Sequence, residues 1–541
     1  MSGLRVQDLR IRFGDRLAVD GLSFDLAEGG SLGIVGESGS GKSATALALL
    51  GLHTGAEITG RISFDGTDLT AAGPDDWRRI RGVRIAMVFQ DPLTALSPFH
   101  TIGDQIAEVY RWHTGASRRA ARQRAVEVLG QVHIPDPVRR AGAYPHQFSG
   151  GMRQRALIAM ALACRPGLIV ADEPTTALDV TVQAQILDLL DEVRTTTGAA
   201  LLLISHDLGV VAGSTDEVVV MRDGVAVEHG PTDTVLSAPR HAYTRALLDA
   251  VPRPTAPRQI AGASVLRLDG VRKHFPQPRR GAWRRPAPIR AVDDVTLDVR
   301  RGETLGIVGE SGTGKTTLAR MMVGLVAPSR GRITFDGADI TRRRGASVQM
   351  IFQDPLSSLN PRRTVGESIA DPLRLQGVRD PRPRVEHLLD RVGLGAAEYD
   401  RFPHQLSGGM RQRAGIARAL APEPRLIVCD EPVSSLDVTT RAQVLALLED
   451  LRRELDLTLV VVSHDLGVLR QIADRVAVLA NGTVVEIGET ARLYEQPQHP
   501  YTRELLAAIP ATDPQEARRL RALRRAARDA VVTGQPTAWT T

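Results

Sequence analysis

The sequence is poor in cysteine, which excludes several classes of protein. Cys164 and Cys429 are the only two cysteines in 541 residues, one in each half of the chain. A disulfide framework is therefore excluded, and no cysteine-ligated zinc or iron–sulfur site is expected. We expect both residues to be core thiols at corresponding places in the two halves. This cysteine usage suits a reducing compartment.

Long apolar runs are also missing. The longest candidates, such as residues 199–204, have the length of a strand and fall far short of the ~20 residues that cross a bilayer as a helix. The N-terminal sequence MSGLRVQDLR is interrupted by charges and lacks the apolar core of a signal peptide. We therefore expect a protein that works at a membrane only through partners.

Lysine is scarce although the chain is basic. The net charge is +6, and only Lys42, Lys273 and Lys315 among the 68 basic residues are lysines. Arginine runs at 279–290 and 518–528 carry most of the excess; we expect them to be solvated surface and expect no nucleic-acid partner. Because arginine serves elsewhere, the lysines in two glycine-rich loops mark positions that need a slim ammonium group.

Five sequence blocks occur twice in the same order, so the chain contains two copies of one domain. GIVGESGSGKS at 33–43 returns as GIVGESGTGKT at 306–316. The other pairs are FQDPLTALSP at 89–98 with FQDPLSSLNP at 352–361, PHQFSGGMRQRA at 145–156 with PHQLSGGMRQRA at 403–414, DEPTTALDVT at 172–181 with DEPVSSLDVT at 430–439, and SHDLGV at 205–210 and at 463–468.

The spacing of the blocks predicts the domain organisation. The second copy carries an insertion at 276–288, rich in proline and arginine, which we interpret as a surface loop. The linker is short and rich in proline. The expected parts are a first domain at 1–251, a linker at 252–262, a second domain at 263–511 and a basic tail at 512–541 that starts as a helix and is partly disordered.

Short apolar runs rich in branched residues indicate buried strands. SLGIVG at 31–36 leads into a glycine-rich loop, GLIVADE at 167–173 ends in carboxylates, and ALLLISH at 200–206 ends in histidine; all three are repeated in the second half. Strands that alternate with helices predict an α/β fold, with a mostly parallel sheet in each domain. The chemistry is then expected at the carboxyl ends of the strands.

The glycine-rich blocks match the pattern G-x-x-x-x-G-K-[ST] twice. Glycines let backbone N–H groups turn inward and hold phosphates at the start of a helix. In the first loop Lys42 would reach the β- and γ-phosphates, and Ser43 would bind Mg²⁺. Lys315 and Thr316 hold the matching positions in the second loop. Two matches in the same context exclude a chance occurrence.

Two acidic residues end a buried strand in each half. Asp172 follows four apolar residues, where a carboxylate that holds Mg²⁺ is expected, and Glu173 comes next. A solvated acidic pair is the alternative, but such pairs seldom end an apolar strand. We interpret the glutamate as the base that orients the attacking water. Asp430 and Glu431 repeat this arrangement.

Histidine closes the next strand in both halves, at His206 and His464. A single histidine at a strand end is usually structural. A pair at matching positions after two phosphate loops predicts a contact with the γ-phosphate.

The SGGM segments at 148–152 and 406–410 resemble the signature of ABC-transporter ATPases, and the whole series of blocks resembles that family over nearly the entire chain. The SGG turn begins a helix whose N–H groups can bind a phosphate. The resemblance implies that this helix serves the nucleotide of the opposite domain. Lys42 would then share ATP with 407–409, and Lys315 with 149–151.

The resemblance also implies further site residues and subdomains. It places an antiparallel β subdomain in each domain, and helical subdomains at about 92–147 and 355–405. Met152 and Met410 stand where the family pattern has glutamine, yet two competent sites are expected.

The catalytic residues expected are Glu173, Glu431, His206 and His464. The ATP-binding residues expected are the adenine-stacking aromatics Phe13 and Phe275, the loop residues Gly36, Ser38, Gly39, Gly41, Lys42, Ser43, Ala44, Gly309, Ser311, Gly312, Gly314, Lys315, Thr316 and Thr317, the Q-loop residues Gln90 and Gln353, the signature residues Ser149, Gly150, Gly151, Ser407, Gly408 and Gly409, and Asp179 and Asp437 from D-loops at 177–179 and 435–437. The Mg²⁺ ligands expected are Ser43, Gln90, Asp172, Thr316, Gln353 and Asp430.

Other segments resemble the oligopeptide, dipeptide and nickel importer branch. These are the residues after each Q-loop glutamine and the closing segments at 239–252 and 497–510. Some relatives carry a cysteine cluster after the closing segment; this chain has none there, so no iron–sulfur centre is expected. The resemblance implies two integral membrane permease subunits and an extracytoplasmic solute-binding protein as partners, and a peripheral location at the cytoplasmic face of the inner membrane.

The expected function is therefore an ATPase that energises an importer for di- or oligopeptides. A nickel or metal-chelate importer, or one for another solute, is an alternative because the partners select the substrate. A soluble tandem ABC ATPase that acts on ribosomes is a further alternative, disfavoured by the short linker and the two closing segments. A DNA-repair ABC protein is disfavoured because it would carry inserted zinc-binding cysteines, which this sequence lacks. A module without ATPase activity is disfavoured because Glu173 and Glu431 are both present.

Overall fold

The chain forms two compact units in the computed structural model. The first unit comprises Met1–Ala250 with Pro510–Gln535, and the second comprises Val251–Ile509 with Pro536–Thr541. The structure describes residues 3–176, 178–250, 262–276, 287–341, 347–354, 358–434 and 436–533. For residues 529–533 it describes the backbone only. Outside the described residues lie most of the expected linker 252–262, most of the insertion 276–288, residues 355–357 of the second expected helical subdomain, the D-loop residues Ala177 and Ser435, and the tail after residue 533.

The strands of the first unit form two sheets. They are β1 (Gly3–Phe13), β2 (Arg16–Ala27), β3 (Ser31–Val35), β4 (Glu57–Phe64), β5 (Thr67–Asp68), β6 (Ile85–Val88), β7 (Leu168–Asp172), β8 (Ala200–Ser205), β9 (Glu217–Arg222) and β10 (Val225–Pro231). The larger sheet has the order β10-β9-β3-β8-β7-β6. Its strands pair in parallel except for β10, which is antiparallel to β9. The predicted mostly parallel sheet is confirmed.

The apolar runs identified in the sequence form the centre of this sheet. Every residue of β3, β7 and β8 is buried, as expected for parallel strands covered on both faces. The smaller, antiparallel sheet has the order β2-β1-β4-β5. Its alternating buried residues, among them Val6, Phe24 and Ile62, pack in one core with Ile34 of β3.

The helices of the first unit include a group between β6 and β7 that packs on the helix after the signature residues. Ile102, Ile106, Val128 and Leu129 lie in the core of that group. Thr101 caps one of its helices by accepting from the Asp104 N–H. The helices are α1 (Lys42–Leu49), α2 (Pro74–Ile80), α3 (Pro92–Ala95), α4 (Ile102–Thr114), α5 (Arg118–Gln131), α6 (Pro137–Ala141), α7 (Gly150–Leu162), α8 (Val180–Thr197), α9 (Leu208–Ala212), α10 (Thr232–Ser237) and α11 (Ala242–Asp249), with a 3-10 turn at Pro145–Gln147.

The second unit repeats this architecture. Its strands are β11 (Ser264–Phe275), β12 (Ile289–Arg300), β13 (Thr304–Val308), β14 (Arg330–Phe335), β15 (Ala338–Asp339), β16 (Val348–Ile351), β17 (Leu426–Asp430), β18 (Thr458–Ser463), β19 (Arg475–Ala480) and β20 (Thr483–Glu489). The sheet orders are β16-β17-β18-β13-β19-β20 and β12-β11-β14-β15. Its helices are α12 (Lys315–Met322), α13 (Val365–Leu375), α14 (Arg382–Arg391), α15 (Gly408–Leu420), α16 (Val438–Leu455), α17 (Leu466–Ile472), α18 (Thr490–Glu495) and α19 (Pro500–Ala507), with 3-10 turns at Ala396–Asp400 and Pro403–Gln405.

The last helix, α20 (Pro514–Thr533), belongs to the first unit although it follows the second in sequence. Arg524 lies 3.0 Å from Asp188 of α8, and Arg525 lies 2.7 Å from Asp191. The expectation that the run 518–528 is solvated was therefore wrong for Arg521 and Arg524, whose side chains are 13% and 19% exposed, whereas Arg518 and Arg519 are exposed as expected. Acidic residues on α8 draw Arg521 and Arg524 into a partly buried network of ion pairs.

Two other sequence expectations can be compared with the fold. Cys429 is buried within β17, whereas Cys164 is half-buried after the end of α7. The cysteines are therefore not at corresponding places, and only one is a core thiol. Among the described residues, no helix combines the length and the apolar character needed to cross a membrane.

Candidate ATP sites

Each phosphate loop leads from a buried strand into a helix that begins at lysine. The helices are α1, from Lys42, and α12, from Lys315. Gly41 and Gly314 precede them with φ angles of 98° and 100°, a region that only glycine enters readily. A Cβ on Gly41 would lie 2.5 Å from the Ala18 carbonyl oxygen. The glycines therefore permit a tight turn that leaves the first N–H groups of the helix available to an anion.

Carbonyl groups of each loop bind the lysine ammonium. Lys42 Nζ donates to the carbonyl oxygens of Gly36, at 2.8 Å, and Glu37, at 2.7 Å. Lys315 Nζ makes the same bonds to Gly309 and Glu310, at 2.7 and 2.8 Å. Both ammonium groups are buried. The lysine charges also act on the carboxylates at the strand ends, and an ammonium group at the start of a helix is a suitable partner for an anionic phosphate.

A hydroxyl and a carboxylate meet beside each loop. Ser43 Oγ donates to Asp172 Oδ1 at 3.0 Å, and Thr316 Oγ1 donates to Asp430 Oδ1 at 3.1 Å. Burial raises the pKa of Asp172 to about 6 and also raises the pKa of Asp430. A buried carboxylate that lacks a full counter-charge, next to a hydroxyl oxygen, matches the oxygen ligands that Mg²⁺ takes beside a nucleotide phosphate.

Three side chains hold the carboxylate of Glu173. Gln90 Nε2 donates to Oε2 at 2.8 Å, and Thr176 Oγ1 donates to the same oxygen at 2.9 Å. His206 Nδ1 lies 3.2 Å from Oε1. Burial pushes the pKa of Glu173 up, but the hydrogen bonds from His206 and Thr176 and the charge of Lys42 outweigh it, so the pKa lies below its ordinary value. The carboxylate is thus ionised at neutral pH and can accept a proton or a hydrogen bond from water.

The second unit repeats this arrangement with one difference. Gln353 Nε2 donates to Glu431 Oε2 at 2.8 Å, and His464 Nδ1 lies 3.2 Å from Oε1. Ser434, which corresponds to Thr176, donates to the backbone carbonyl of Glu431 and not to its carboxylate. The pKa of Glu431 is again lowered, since the hydrogen bond from His464 and the nearby charges outweigh the effect of burial.

The two glutamates have unusual backbone conformations. Glu173 has a φ of 44° and Glu431 a φ of 48°, in the left-handed region that residues with a side chain seldom enter. Their N–H groups donate to carbonyls of the neighbouring strand, those of Ile204 and Val462. These bonds hold each glutamate in a strained turn at the carboxyl end of its strand, and such strain concentrates at functional sites.

The signature residues begin a helix in each unit. Ser149 accepts from the Met152 N–H at 3.3 Å, and Ser407 accepts from the Met410 N–H at the same distance. Gly151 packs closely, because a Cβ there would lie 2.4 Å from Val182 Cγ1 of α8. The side chains of Met152 and Met410 pack against apolar cores. Gly150 and Gly408 lie at the exposed starts of α7 and α15 with Gly151 and Gly409 next to them.

The remaining predicted residues lie in or near these elements. Phe13 and Phe275, at the ends of β1 and β11, are exposed. The Phe13 ring packs edge-on against His53, and Lys273 Nζ lies 5.2 Å from the centre of the Phe275 ring. Ser38, Gly39, Ser311 and Gly312 are exposed in the loops, and Ala44 and Thr317 lie in the first turns of α1 and α12. Asp179 and Asp437 immediately precede α8 and α16, and the latter caps its helix by accepting from the Thr440 N–H at 2.9 Å.

The contact of Thr176 with Glu173 is absent from the sequence predictions. Its signal is a hydroxyl three residues after the glutamate in both copies, at Thr176 and Ser434. Among the described residues, no group of three or more His, Cys, Asp or Glu side chains is placed to hold a metal ion. The expectation that zinc and iron–sulfur clusters are absent stays a prediction.

Two family models match the chain. The ABC transporter model matches residues 19–176 and 292–434, more than half of the sequence. The chain belongs to the ABC transporter family. A second model, the C-terminal region of oligopeptide/dipeptide transporters, matches residues 227–271 and 485–534. This ABC protein therefore carries both regions twice, and it is an ATPase that uses ATP.

Relatives of this ABC protein extend over most of its length. It is 44% identical to the glutathione import ATP-binding protein GsiA of Escherichia coli K12, over 96% of this chain and 91% of the relative. The same protein of Shigella sonnei gives the same values. A solved dimer of an ATP-binding cassette in a post-hydrolysis state, bound to ADP and phosphate, is 29% identical over 42% of this chain and 98% of that chain, with a TM-score of 0.37.

Proposed function

We propose that this chain hydrolyses ATP to energise the import of short peptides or peptide-like solutes. The observation that carries the proposal is the pairing of each ATPase core with a peptide-transporter C-terminal region. The similarity to GsiA, whose name states glutathione import, supports the same substrate class, because glutathione is a tripeptide. A metal-chelate importer is the second candidate, since the nickel branch shares the motifs found in the sequence.

The chemistry follows from the two strand-end clusters. The phosphate-loop N–H groups and Lys42 bind the nucleotide phosphates, and Asp172 with Ser43 holds Mg²⁺, which neutralises phosphate charge when bound. Glu173, kept ionised by its neighbours, orients water for attack on the γ-phosphate. Gln90 and Thr176 fix that carboxylate in place.

His206 stands next to this carboxylate and is placed to contact the γ-phosphate. The second unit carries the same set, so both sites are competent. The SGG turns at the starts of α7 and α15 donate N–H groups to the nucleotide bound by the other unit. ATP then brings the units together and hydrolysis releases them.

Partners that cross the membrane are part of the proposal. Two permease subunits would dock on the helical groups, and a solute-binding protein would deliver the substrate from outside. Three exposed apolar side chains support such docking: Phe99 is 84% exposed, Trp112 of α4 is 78% exposed, and Leu375, at the matching position of α13, is 90% exposed. The chain would lie peripherally at the cytoplasmic face of the inner membrane.

The test is extraction of the tagged full-length chain from native membranes in mild detergent, with mass spectrometry of its partners. We expect two polytopic membrane proteins and a solute-binding protein. The binding protein is then titrated with dipeptides, tripeptides, glutathione and a nickel chelate. The same extraction is repeated with a Phe99→Ser/Trp112→Ser/Leu375→Ser variant, which should no longer recover the permeases if these side chains form the docking surface. Recovery of ribosomal proteins without membrane partners would refute import, and binding of the chelate alone would replace the peptide assignment.

A further inference from the structure

The closing segment of each unit reaches the phosphate loop through a tyrosine hydroxyl. Tyr243, near the start of α11, accepts a hydrogen bond from the Glu37 N–H at 3.2 Å. Tyr501, near the start of α19, accepts one from the Glu310 N–H at 3.1 Å. Both tyrosines lie in regions matched by the peptide-transporter C-terminal model, at 227–271 and 485–534, and outside the segments matched by the ABC model.

The tyrosine hydroxyl and the loop lysine form hydrogen bonds with the same peptide group. The Glu37 N–H and the Gly36 carbonyl belong to one peptide bond, which is planar with its N–H and C=O pointing in opposite directions. Tyr243 binds the N–H, and Lys42 Nζ binds the carbonyl oxygen at 2.8 Å. Together the two side chains fix the orientation of that peptide, which begins the phosphate loop.

The same pair of hydrogen bonds occurs in the second unit. Tyr501 binds the Glu310 N–H, and Lys315 Nζ binds the Gly309 carbonyl oxygen at 2.7 Å. The phosphate-binding N–H groups follow this peptide directly. Any freedom of the peptide therefore spreads to the groups that hold the nucleotide.

The structure also fixes the tyrosine itself. The Tyr243 ring is buried in an apolar cluster with Val35 and Val211. Its own N–H donates to His241 Nδ1 at 3.2 Å. The Glu228 carboxylate of β10 accepts from the N–H groups of Arg240 and His241, at 2.8 and 3.1 Å.

In the second unit Glu486 accepts from the N–H groups of Gln498 and His499, both at 2.9 Å, and the Tyr501 N–H donates to His499 Nδ1 at 3.2 Å. A carboxylate, a histidine and a tyrosine thus form a rigid support behind each loop. None of these supporting residues is among those expected to bind the nucleotide.

We infer that Tyr243 and Tyr501 are positioning residues of the two ATP sites, whose hydroxyls hold the phosphate loops in the form that binds the nucleotide's β- and γ-phosphates. The Tyr243 and Tyr501 rings pack against apolar clusters, and their hydroxyls accept from the loop N–H groups. Replacement by phenylalanine keeps the ring and removes the hydroxyl that accepts from the glutamate N–H, so the loop loses preorganisation. The inference rests on the phosphate-loop roles proposed above.

The test uses the full-length chain and equilibrium binding of ATP, ADP and AMP. In a Lys315→Ala background only the first loop binds phosphates. There Tyr243→Phe should weaken ATP and ADP binding by about 3- to 10-fold and leave AMP binding unchanged. Tyr501→Phe in the same background is the matched control and should change nothing. A Lys42→Ala background tests the second loop in the same way. There Tyr501→Phe is the test variant and Tyr243→Phe is the control. This second set remains usable if a variant of the first set fails to fold.

Steady-state kinetics separates positioning from a purely structural role. In the otherwise unchanged chain each Tyr→Phe variant should raise KM for ATP with little change in kcat. Unchanged ATP affinity with a lowered melting temperature would overturn the inference, as would equal effects of both variants in one background. The Lys42→Ala/Lys315→Ala chain must lose ATP binding; if it binds ATP normally, the phosphate-loop assignment fails instead.

Discussion

His206 Nδ1 lies 3.2 Å from Glu173 Oε1, across the carboxyl ends of two neighbouring parallel strands, and His464 and Glu431 repeat this contact at the same distance. Each pair joins the residue after β7 or β17 to the residue after β8 or β18. The parallel register brings together residues that lie 33 positions apart in both copies. The contact helps to lower the pKa of each glutamate and so to keep its carboxylate ionised.

Removal of both carboxylates should stop hydrolysis and leave nucleotide binding intact. In the Glu173→Gln/Glu431→Gln chain the amide keeps the shape but cannot accept a proton, so kcat should fall by about 100-fold or more. The measurements are phosphate release and equilibrium binding of ATP. Asp75→Asn is the control, because that carboxylate lies on α2 with its side chain 82% exposed. Hydrolysis at the wild-type rate in the double variant would exclude these residues as the base.

The pH dependence of the first site should respond to Thr176. Its hydroxyl helps to lower the pKa of Glu173, so Thr176→Val raises that pKa. Because the ionised form is the active one, the acid limb of the ATPase profile should move to higher pH, measured at saturating Mg²⁺ so that protonation of Asp172 does not set that limb. Ser434→Ala is the matched control, since that hydroxyl donates to a backbone carbonyl. Equal profiles for both variants would contradict the role of the Thr176 bond.

Magnesium affinity should fall in mild acid. Burial raises the pKa of Asp172 to about 6 and raises that of Asp430 as well. Below pH 6 protons compete with Mg²⁺ for the ionised carboxylates, and the apparent affinity should drop by about tenfold per pH unit. Mg²⁺ titrations of ATP binding between pH 5 and pH 7.5 measure this. The Asp172→Asn/Asp430→Asn chain should bind Mg²⁺ weakly at every pH, and a wild-type affinity independent of pH would contradict the assignment.

Close packing at the signature helix should make Gly151 sensitive to one added methyl group. A Cβ there would lie 2.4 Å from Val182 Cγ1, and a branched side chain on a helix cannot easily rotate away. Gly151→Ala should destabilise the first unit by about 1–3 kcal/mol. Thermal unfolding measures the loss. The Gly151→Ala/Val182→Ala chain should recover most of it, and failure to recover would show that Val182 is not the obstacle.

The C-terminal helix should stabilise the first unit through its arginines. The Arg524 side chain is 19% exposed and pairs with Asp188, which is 9% exposed. Arg524→Ala leaves that carboxylate with fewer partners and should cost about 1–3 kcal/mol. Arg519→Ala on the same helix is the control, because its pair with Glu516 is 72% exposed on the arginine side and should contribute little. Equal melting temperatures for both variants would contradict a stabilising network.

Much of the site could be predicted from the sequence because its chemistry lies in short contiguous blocks. Lys42 stands in a glycine-rich loop, and Asp172 and Glu173 end an apolar run, so their local patterns place them at the carboxyl ends of parallel strands. Because the blocks occur twice, each assignment in the first domain also applied to the matching residue of the second. The same local reading failed for Cys164 and for Arg521 and Arg524, because burial and ion pairing depend on elements far away in the chain.

The sequence alone determined the two-copy α/β architecture and the identity of the phosphate loops, since both follow from repeated motifs and from periodic burial of apolar residues. Tertiary structure decided three contacts: the hydroxyl of Thr176 on Glu173, the hydroxyl of Tyr243 behind the Glu37 peptide, and the docking of α20 on the first unit. The last two join segments more than 200 residues apart, and even the first depends on the turn after β7. Hydrogen bonds require distances within a few tenths of an ångström, and only the packed chain fixes atoms to that tolerance.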